Sequence, residues 1–247
     1  MSVTQEVIRS SEEKTNLESI AQASQLESQL LSDMPKQGLL RHLCLFVSNT
    51  ILQFPLAFET QQKALDQPTL LRKEVEEELE IISKTENDFV VLDYGCGSGT
   101  YSGLFNHQNY VGIDCNEAML ERASNVHPQH TFIKATNLSG ISTRIGDVSE
   151  VLMVGVIHHL SQSDLISILG NLPKNKPIRL LAIDTLKCSG GLGAFVQLFE
   201  RGEFLRSEKD HMKLLHRVAD EISYKKVPYG NLFELAVFRG TIKNNII

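Results

Sequence analysis

The 247-residue chain has no tryptophan, only four cysteines and a deficit of positive charge. Its net charge of −6 argues against a dedicated nucleic-acid binder, because phosphate contact needs clustered Lys and Arg. Cys44, Cys96, Cys115 and Cys188 show no C-x-x-C spacing and no secretory context, so reduced thiols in a cytoplasmic protein are expected. No apolar run is long enough for a membrane span. The best, from Leu43 to Phe58, is broken by Ser48, Asn49, Thr50, Gln53 and Pro55. The N-terminus lacks the charged and apolar regions of a signal peptide. What is present is a hydrophobic content of 42%, enough for a sizeable core. From Lys174 onward, 13 basic residues stand against 8 acidic ones, which favours a small anionic substrate for the C-terminal third.

Two regions are expected. In residues 1–85, Leu17, Ile20, Ala21, Leu30, Leu31 and Met34 form a partial helical stripe. A more apolar helix follows over 37–54, stopped by Pro55. Pro68 opens a third helix, whose Glu74, Glu76, Glu77, Glu78 and Glu80 read as a solvated acidic face. This segment suits a cap or lid, and its second helix equally suits a homodimer surface.

Residues 86–247 alternate strands and helices. Strands are expected at 89–92, 110–114, 131–135, 151–156 and 178–184, with helices at 100–106, 117–125 and after the Ser161/Asp164 capping box. A glycine-rich loop, a helix at 194–201, a helix capped by Ser207 and Asp210, and two strands around a Pro-Tyr-Gly-Asn turn complete the chain. The pattern predicts an α/β, three-layer, Rossmann-like sheet, mostly parallel, with an antiparallel C-terminal edge hairpin.

The chemistry centres on Val90-Val91-Leu92-Asp93-Tyr94-Gly95-Cys96-Gly97-Ser98-Gly99. A strand runs into an acid and three alternating glycines, and a second strand ends in Asp114. Such a turn takes a ligand's polar end, and such an acid takes ribose hydroxyls. Dinucleotide turns use G-x-G-x-x-G; here the spacing is G-x-G-x-G, and Thr100 holds the place of the third dinucleotide glycine. A carboxylate two residues before Gly95 repels a pyrophosphate but suits an ammonium. Over 88–240 the sequence resembles the class I, seven-strand S-adenosylmethionine-dependent methyltransferases, with LDYGCGSG similar to their first motif and VGIDCNEAML to their second.

The resemblance implies S-adenosylmethionine as cofactor. Gly95, Cys96, Gly97 and Gly99 would pass along its methionine tail, with Asp93 supporting the loop or reaching the ammonium. Asp114 would accept from the ribose hydroxyls, and Cys115 and Met119 would lie along the ribose or adenine; for Met119 a core role is equally open. Where the family often has an acid for the adenine amine, this chain has Thr136 and Asn137. The Gly155-Val156-Ile157-His158-His159-Leu160 turn resembles the I-H-H-L of small-molecule methyltransferases and would lie near the sulfonium.

Histidine can deprotonate an acceptor near neutral pH. His159, then His158, are the candidate bases, and capping of the turn is the alternative for both. Metal binding is not expected, because adjacent turn positions point apart and no third ligand is near. Asp184, ending a strand at the ligand edge, would orient the acceptor or cap its turn. Arg201 and Arg206 would clamp a carboxylate or phosphate, or simply lie at the surface. The reading is a cytoplasmic methyltransferase acting on O or N, or on C, of a small molecule in specialised or surface-sugar metabolism. The alternatives are a peptide or RNA methyltransferase and a non-catalytic partner subunit.

Overall fold

The computed structural model describes residues 67–85, 88–135, 148–173, 175–188, 203–229 and 233–246, all within the unit Val47–Ile247. The helices expected within 1–54, the glycine-rich loop and the helix expected at 194–201 lie outside the described residues. So do Thr136, Asn137 and Arg201.

Helix α1 (Gln67–Thr85) precedes β1 (Val91–Tyr94) and β2 (Tyr110–Asp114). Helix α2 (Glu117–Val126), β3 (Thr131–Lys134), β4 (Glu150–Val154), α3 (Gln162–Gly170) and β5 (Ile178–Thr185) follow. Helix α4 (Glu208–Val218) passes directly into β6 (Ala219–Tyr229), which pairs with β7 (Phe233–Ile242). The seven strands form one sheet in the order β3-β2-β1-β4-β5-β7-β6. Strands β1 to β5 run parallel to one another, while β7 runs antiparallel to both β5 and β6.

Period-two alternation buries both faces. Leu92, Val111, Ile113, Val151, Met153 and Leu180 face a core closed by Leu165, Ile168 and Leu169 of α3 and Leu214, Leu215 and Val218 of α4. Val91, Tyr110, Leu152, Leu181, Ile183 and Val237 face the other core, closed by Leu71 and Val75 of α1. Asn116 caps α2 by accepting from the amides of Ala118 and Met119. The Ser161–Asp164 box caps α3 reciprocally, and Ser207 caps α4. The C-terminal strands exceed their expected lengths. Pro228 is tolerated within β6 because that strand forms the sheet edge.

Two expectations need correction. In place of a helix at 100–106 there is a 3₁₀ turn, Ser102–Leu104, followed by a second, His107–Asn109. Gly99 and Gly103 interrupt so short a segment, and the Asn106 side chain accepts from the Gln108 amide to start the new turn. Nor is the acidic face of α1 wholly solvated. Glu74 and Glu78 are buried. Glu78 accepts from Arg179 of β5 and, at 2.7 Å, from Arg239 of β7. Glu74 pairs with Arg239 at 3.1 Å and with Lys225 of β6 at 2.6 Å. Arg179 also donates to Glu150 at 3.1 Å. Burial pushes Glu150 well above the usual carboxylate range, and the charge of Glu78 adds to this while Arg179 opposes it. Charges thus fasten α1 across the strands it covers.

Glu78→Ala would leave two arginines without their shared carboxylate. We expect a loss of about 3 kcal/mol in urea unfolding, the low end for breaking a buried pair because both arginines reach solvent. A loss below about 0.5 kcal/mol would show that α1 is held by its apolar stripe alone.

Candidate active site

The chain leaves β1, builds β2 and β3 to one side, and returns as β4 on the other side of β1. The C-terminal ends of β1 and β4 therefore flank the point where connections diverge, the usual ligand crevice of an open α/β sheet. Both strands end in glycines with positive φ: Gly95 (81°), Gly97 (53°) and Gly99 (78°) after β1, and Gly155 (67°) after β4.

The first turn is pinned to β2. The amides of Gly95 and Cys96 both donate to the Ile113 carbonyl, at 2.7 and 3.0 Å. The Gly97 amide donates to Asp114 Oδ2 at 2.9 Å, and the Asn116 amide to Asp114 Oδ1 at 2.8 Å. Each oxygen of this half-buried carboxylate retains acceptor capacity. A Cβ on Gly95 would come within 2.7 Å of Val156 Cγ2, so the two strand-end turns touch. A Cβ on Gly97 would meet nothing within 4 Å.

Other expected contacts are placed differently. The Cys96 side chain is buried, and burial holds its thiol far above the usual range; only its backbone lies along the turn. Cys115 is exposed, whereas Met119 is buried with Leu120 and Ala123. Asp93 is buried, and its Oδ2 accepts from the Tyr110 hydroxyl at 2.7 Å. Burial pushes the Asp93 carboxyl up to about 7; the Tyr110 hydrogen bond opposes this and the charge of Asp114 adds to it.

Gly112 was missed as a site residue. It lies opposite Asp93 in the sheet, and a Cβ there would come within 2.8 Å of Cys96 Sγ and 2.7 Å of Phe132. An isolated glycine inside a strand was the available signal.

At the end of β4, Gly155 donates to the Ile183 carbonyl at 2.7 Å, and a 3₁₀ turn, Ile157–His159, follows. His158 is buried, with Nδ1 2.5 Å from Asp184 Oδ1. His159 is exposed, its ring centroid 4.2 Å from that of His158. Asp184 is also buried, and its Oδ1 accepts from the Thr185 amide at 2.8 Å. Burial alone would raise its carboxyl, but the neighbouring His158 and His211 pull it well below the usual carboxylate range.

Arg206, expected to clamp a substrate, is turned onto the histidine turn. It donates to the carbonyls of Ile157 at 2.9 Å, Leu160 at 2.7 Å and Phe204 at 3.2 Å. Three backbone acceptors occupy donors that a bidentate clamp would need. Among the described residues, no group of three His, Cys, Asp or Glu side chains is arranged to hold a metal ion. No described helix is long and apolar enough to cross a membrane.

Residues 91–174 match the methyltransferase domain family. Solved structures share the fold. The plantazolicin methyltransferase BamL, crystallised with a triazolic desmethylPZN analog and SAH, is 14% identical; the match covers 85% of this chain and 100% of that one, with a TM-score of 0.58. Magnesium protoporphyrin IX methyltransferase (ChlM) from Synechocystis PCC 6803, with bound SAH, is 18% identical over 71% of this chain and 84% of that one, at 0.52. The CurJ carbon methyltransferase is 12% identical over 69% and 54%, at 0.54. None of the curated proteins matches the chain.

Asp93 generates a pH prediction. Its folded pKa of about 7 exceeds the unfolded value of about 3.9, so the folded protein holds a proton the unfolded chain has released. Stability through this group is therefore highest below about pH 4 and falls as pH rises to about 7. Asp93→Asn keeps an acceptor for Tyr110 and removes that fall. Relative to wild type, the variant should gain about 1–3 kcal/mol between pH 4 and pH 8 in urea unfolding. A difference independent of pH would contradict the assignment.

Proposed function

We propose, from the premise that this chain carries a class I S-adenosylmethionine-dependent methyltransferase domain, that it methylates an oxygen or nitrogen of a small-molecule acceptor. The observation that carries the acceptor chemistry is the buried Asp184–His158 hydrogen bond at the ends of β5 and β4, beside the glycine turn of β1.

The residues fit the cofactor. Gly97 is open on its Cβ side with a positive φ, and an Asp114 carboxylate with acceptor capacity to spare stands 2.9 Å from its amide. In this reading Asp114 takes the ribose hydroxyls, and the backbone of Gly95, Cys96 and Gly97 lines the methionine end. Asp93, just before the turn, has its Oδ2 held by the Tyr110 hydroxyl of β2. Gly155 and Val156 border the same crevice. The neighbours crystallised with SAH support this choice of cofactor. S-adenosylmethionine supplies an activated methyl on a good leaving group, so the protein's share is alignment and the acceptor's protonation state.

His158 answers the second need. With its Nδ1–H donated to Asp184, Nε2 is the nitrogen able to take the acceptor's proton. Asp184 fixes that tautomer and stabilises the imidazolium that forms, as an orienting carboxylate does in hydrolytic triads. Arg206 holds the backbone of the turn at two carbonyls and so sets where His158 stands. His159, exposed beside it, is the second candidate to contact the acceptor. A net charge of −6 supports a small acceptor over a nucleic acid, and so do the desmethylPZN analog and the magnesium protoporphyrin IX for which the neighbours are named.

The test is a screen of small hydroxyl and amine compounds with methyl-labelled S-adenosylmethionine, followed by His158→Gln and His159→Gln on any acceptor found. His158→Gln should lower kcat by about 10²–10⁴-fold, the usual worth of a positioned base. His159→Gln should cost less than tenfold. Full activity in His158→Gln would remove the base from this reading.

A further inference from the structure

His158 and Asp184 come from different strands, and strand pairing does not reach both. The paired register of β4 and β5 ends at Val154 and Ile183. His158 stands beyond that register, in a 3₁₀ turn whose amides close on the carbonyls of Val156 and Ile157. Its Nδ1 nevertheless lies 2.5 Å from Asp184 Oδ1. So short a spacing past the end of the ladder calls for a third element.

Residues 204–206 supply it from two sides. The Phe204 amide donates to the His158 carbonyl at 2.9 Å. The Arg206 guanidinium donates through Nη1 to the Ile157 carbonyl at 2.9 Å and through Nη2 to the Leu160 carbonyl at 2.7 Å, so it grips the turn on either side of the two histidines. A planar guanidinium fork reaches two acceptors at once, which the point charge of an ammonium does not reproduce. Nη1 also donates to the Phe204 carbonyl at 3.2 Å, and the Phe204 ring centroid lies 5.5 Å from Arg206 Cζ. The main chain of the same arginine faces β5. Its carbonyl accepts from the Lys187 amide at 2.9 Å, and it forms a parallel bridge with Leu186. Ser207, the next residue, caps α4, whose Leu214, Leu215 and Val218 are buried in the core, so the clasp has a fixed base.

We infer that Arg206 is a positioning residue: with its side chain on the histidine turn and its main chain on the extension of β5, it sets the distance between His158 and Asp184, and with it the place of the imidazole at the ligand edge. This deepens the reading of His158 as base, and its catalytic consequence rests on that reading. The cofactor cradle is built on other elements, the Gly97 turn and Asp114 of β2, whereas the three carbonyls that Arg206 takes belong to the histidine turn and to Phe204. Loss of the guanidinium therefore separates two functions. Cofactor binding stays, and the placing of His158 goes. A misplacement of about 1 Å at a group that must meet an acceptor costs on the order of 10²-fold in rate.

The experiment is proton nuclear magnetic resonance of the full chain, following the downfield Nδ1–H signal of the His158–Asp184 bond, assigned by its loss in His158→Gln. In wild type the signal should be present and exchange slowly with water. In Arg206→Ala its exchange should quicken about tenfold or more. Millimolar guanidinium, but not an equal concentration of potassium, should slow it again. Arg206→Lys, which keeps the charge without the fork, should fall between, and it decides by the same readout if Arg206→Ala does not fold. Calorimetric affinity for S-adenosylhomocysteine should be retained in both variants. On any acceptor found in the screen, kcat should fall about 10–100-fold with KM for S-adenosylmethionine unchanged. A signal absent in wild type, or one that exchanges no faster in the variants, overturns the proposal. So does faster exchange with an equal loss of S-adenosylhomocysteine affinity, the mark of a merely structural arginine. Methyl transfer that survives His158→Gln removes the base, while the clasp stands or falls on the resonance.

Discussion

The bond from the Gly97 amide to the Asp114 carboxylate joins the two halves of the ligand edge. One half is a glycine turn whose conformation side chains rarely adopt, and the other is the end of the neighbouring parallel strand. Their union depends on register. Asp93 sits opposite Gly112 and Tyr94 opposite Ile113, so the turn after β1 meets the last residue of β2. A one-residue slip would send Asp114 to the other face of the sheet and dissolve the arrangement. Gly112 protects the register from beneath, since any side chain there would strike Cys96 and Phe132.

Two buried aspartates show how surroundings separate groups of one type. Burial favours the acid form of Asp93, and the nearby Asp114 carboxylate adds to this against the opposing bond from the Tyr110 phenol. Asp184 has two imidazoles and a backbone amide around it, and its anion is favoured. The first ties β1 to Tyr110 of β2; the second stands between two imidazoles. Environments that push like groups apart are a general mark of sites that handle protons. At the other end of the sheet, Glu74, Glu78 and Glu150 meet Arg179, Arg239 and Lys225, and there the charges fasten a helix.

Whatever was local was legible in the sequence. The glycines at 95, 97 and 99, the acids at 93 and 114, the Ser161–Asp164 box and the apolar run of β5 carry their meaning within a few residues. They carry the seven-strand sheet and the turns that end β1 and β4. What escaped depends on partners far along the chain. Glu78 becomes a buried anchor because Arg179 and Arg239 lie 101 and 161 residues away, and no spacing within α1 announces them. Tyr110 and Asp93 meet through strand pairing, and His211 meets Asp184 only once α4 packs on the sheet. A pair of adjacent histidines does not say which one faces a buried carboxylate; here it is His158. The carbonyls of Ile157, Phe204 and Leu160 to which Arg206 donates are likewise not announced by its sequence neighbours.

The central claim is that the Gly97–Asp114 joint is the cofactor cradle. Calorimetric titration of the full chain with S-adenosylhomocysteine, repeated on Asp114→Ala and with NADH as a control ligand, tests it most directly. Micromolar binding to wild type, weakened at least tenfold in the variant and absent for NADH, is the predicted result. Undiminished binding in a folded Asp114→Ala protein, or binding of NADH in place of S-adenosylhomocysteine, would contradict it.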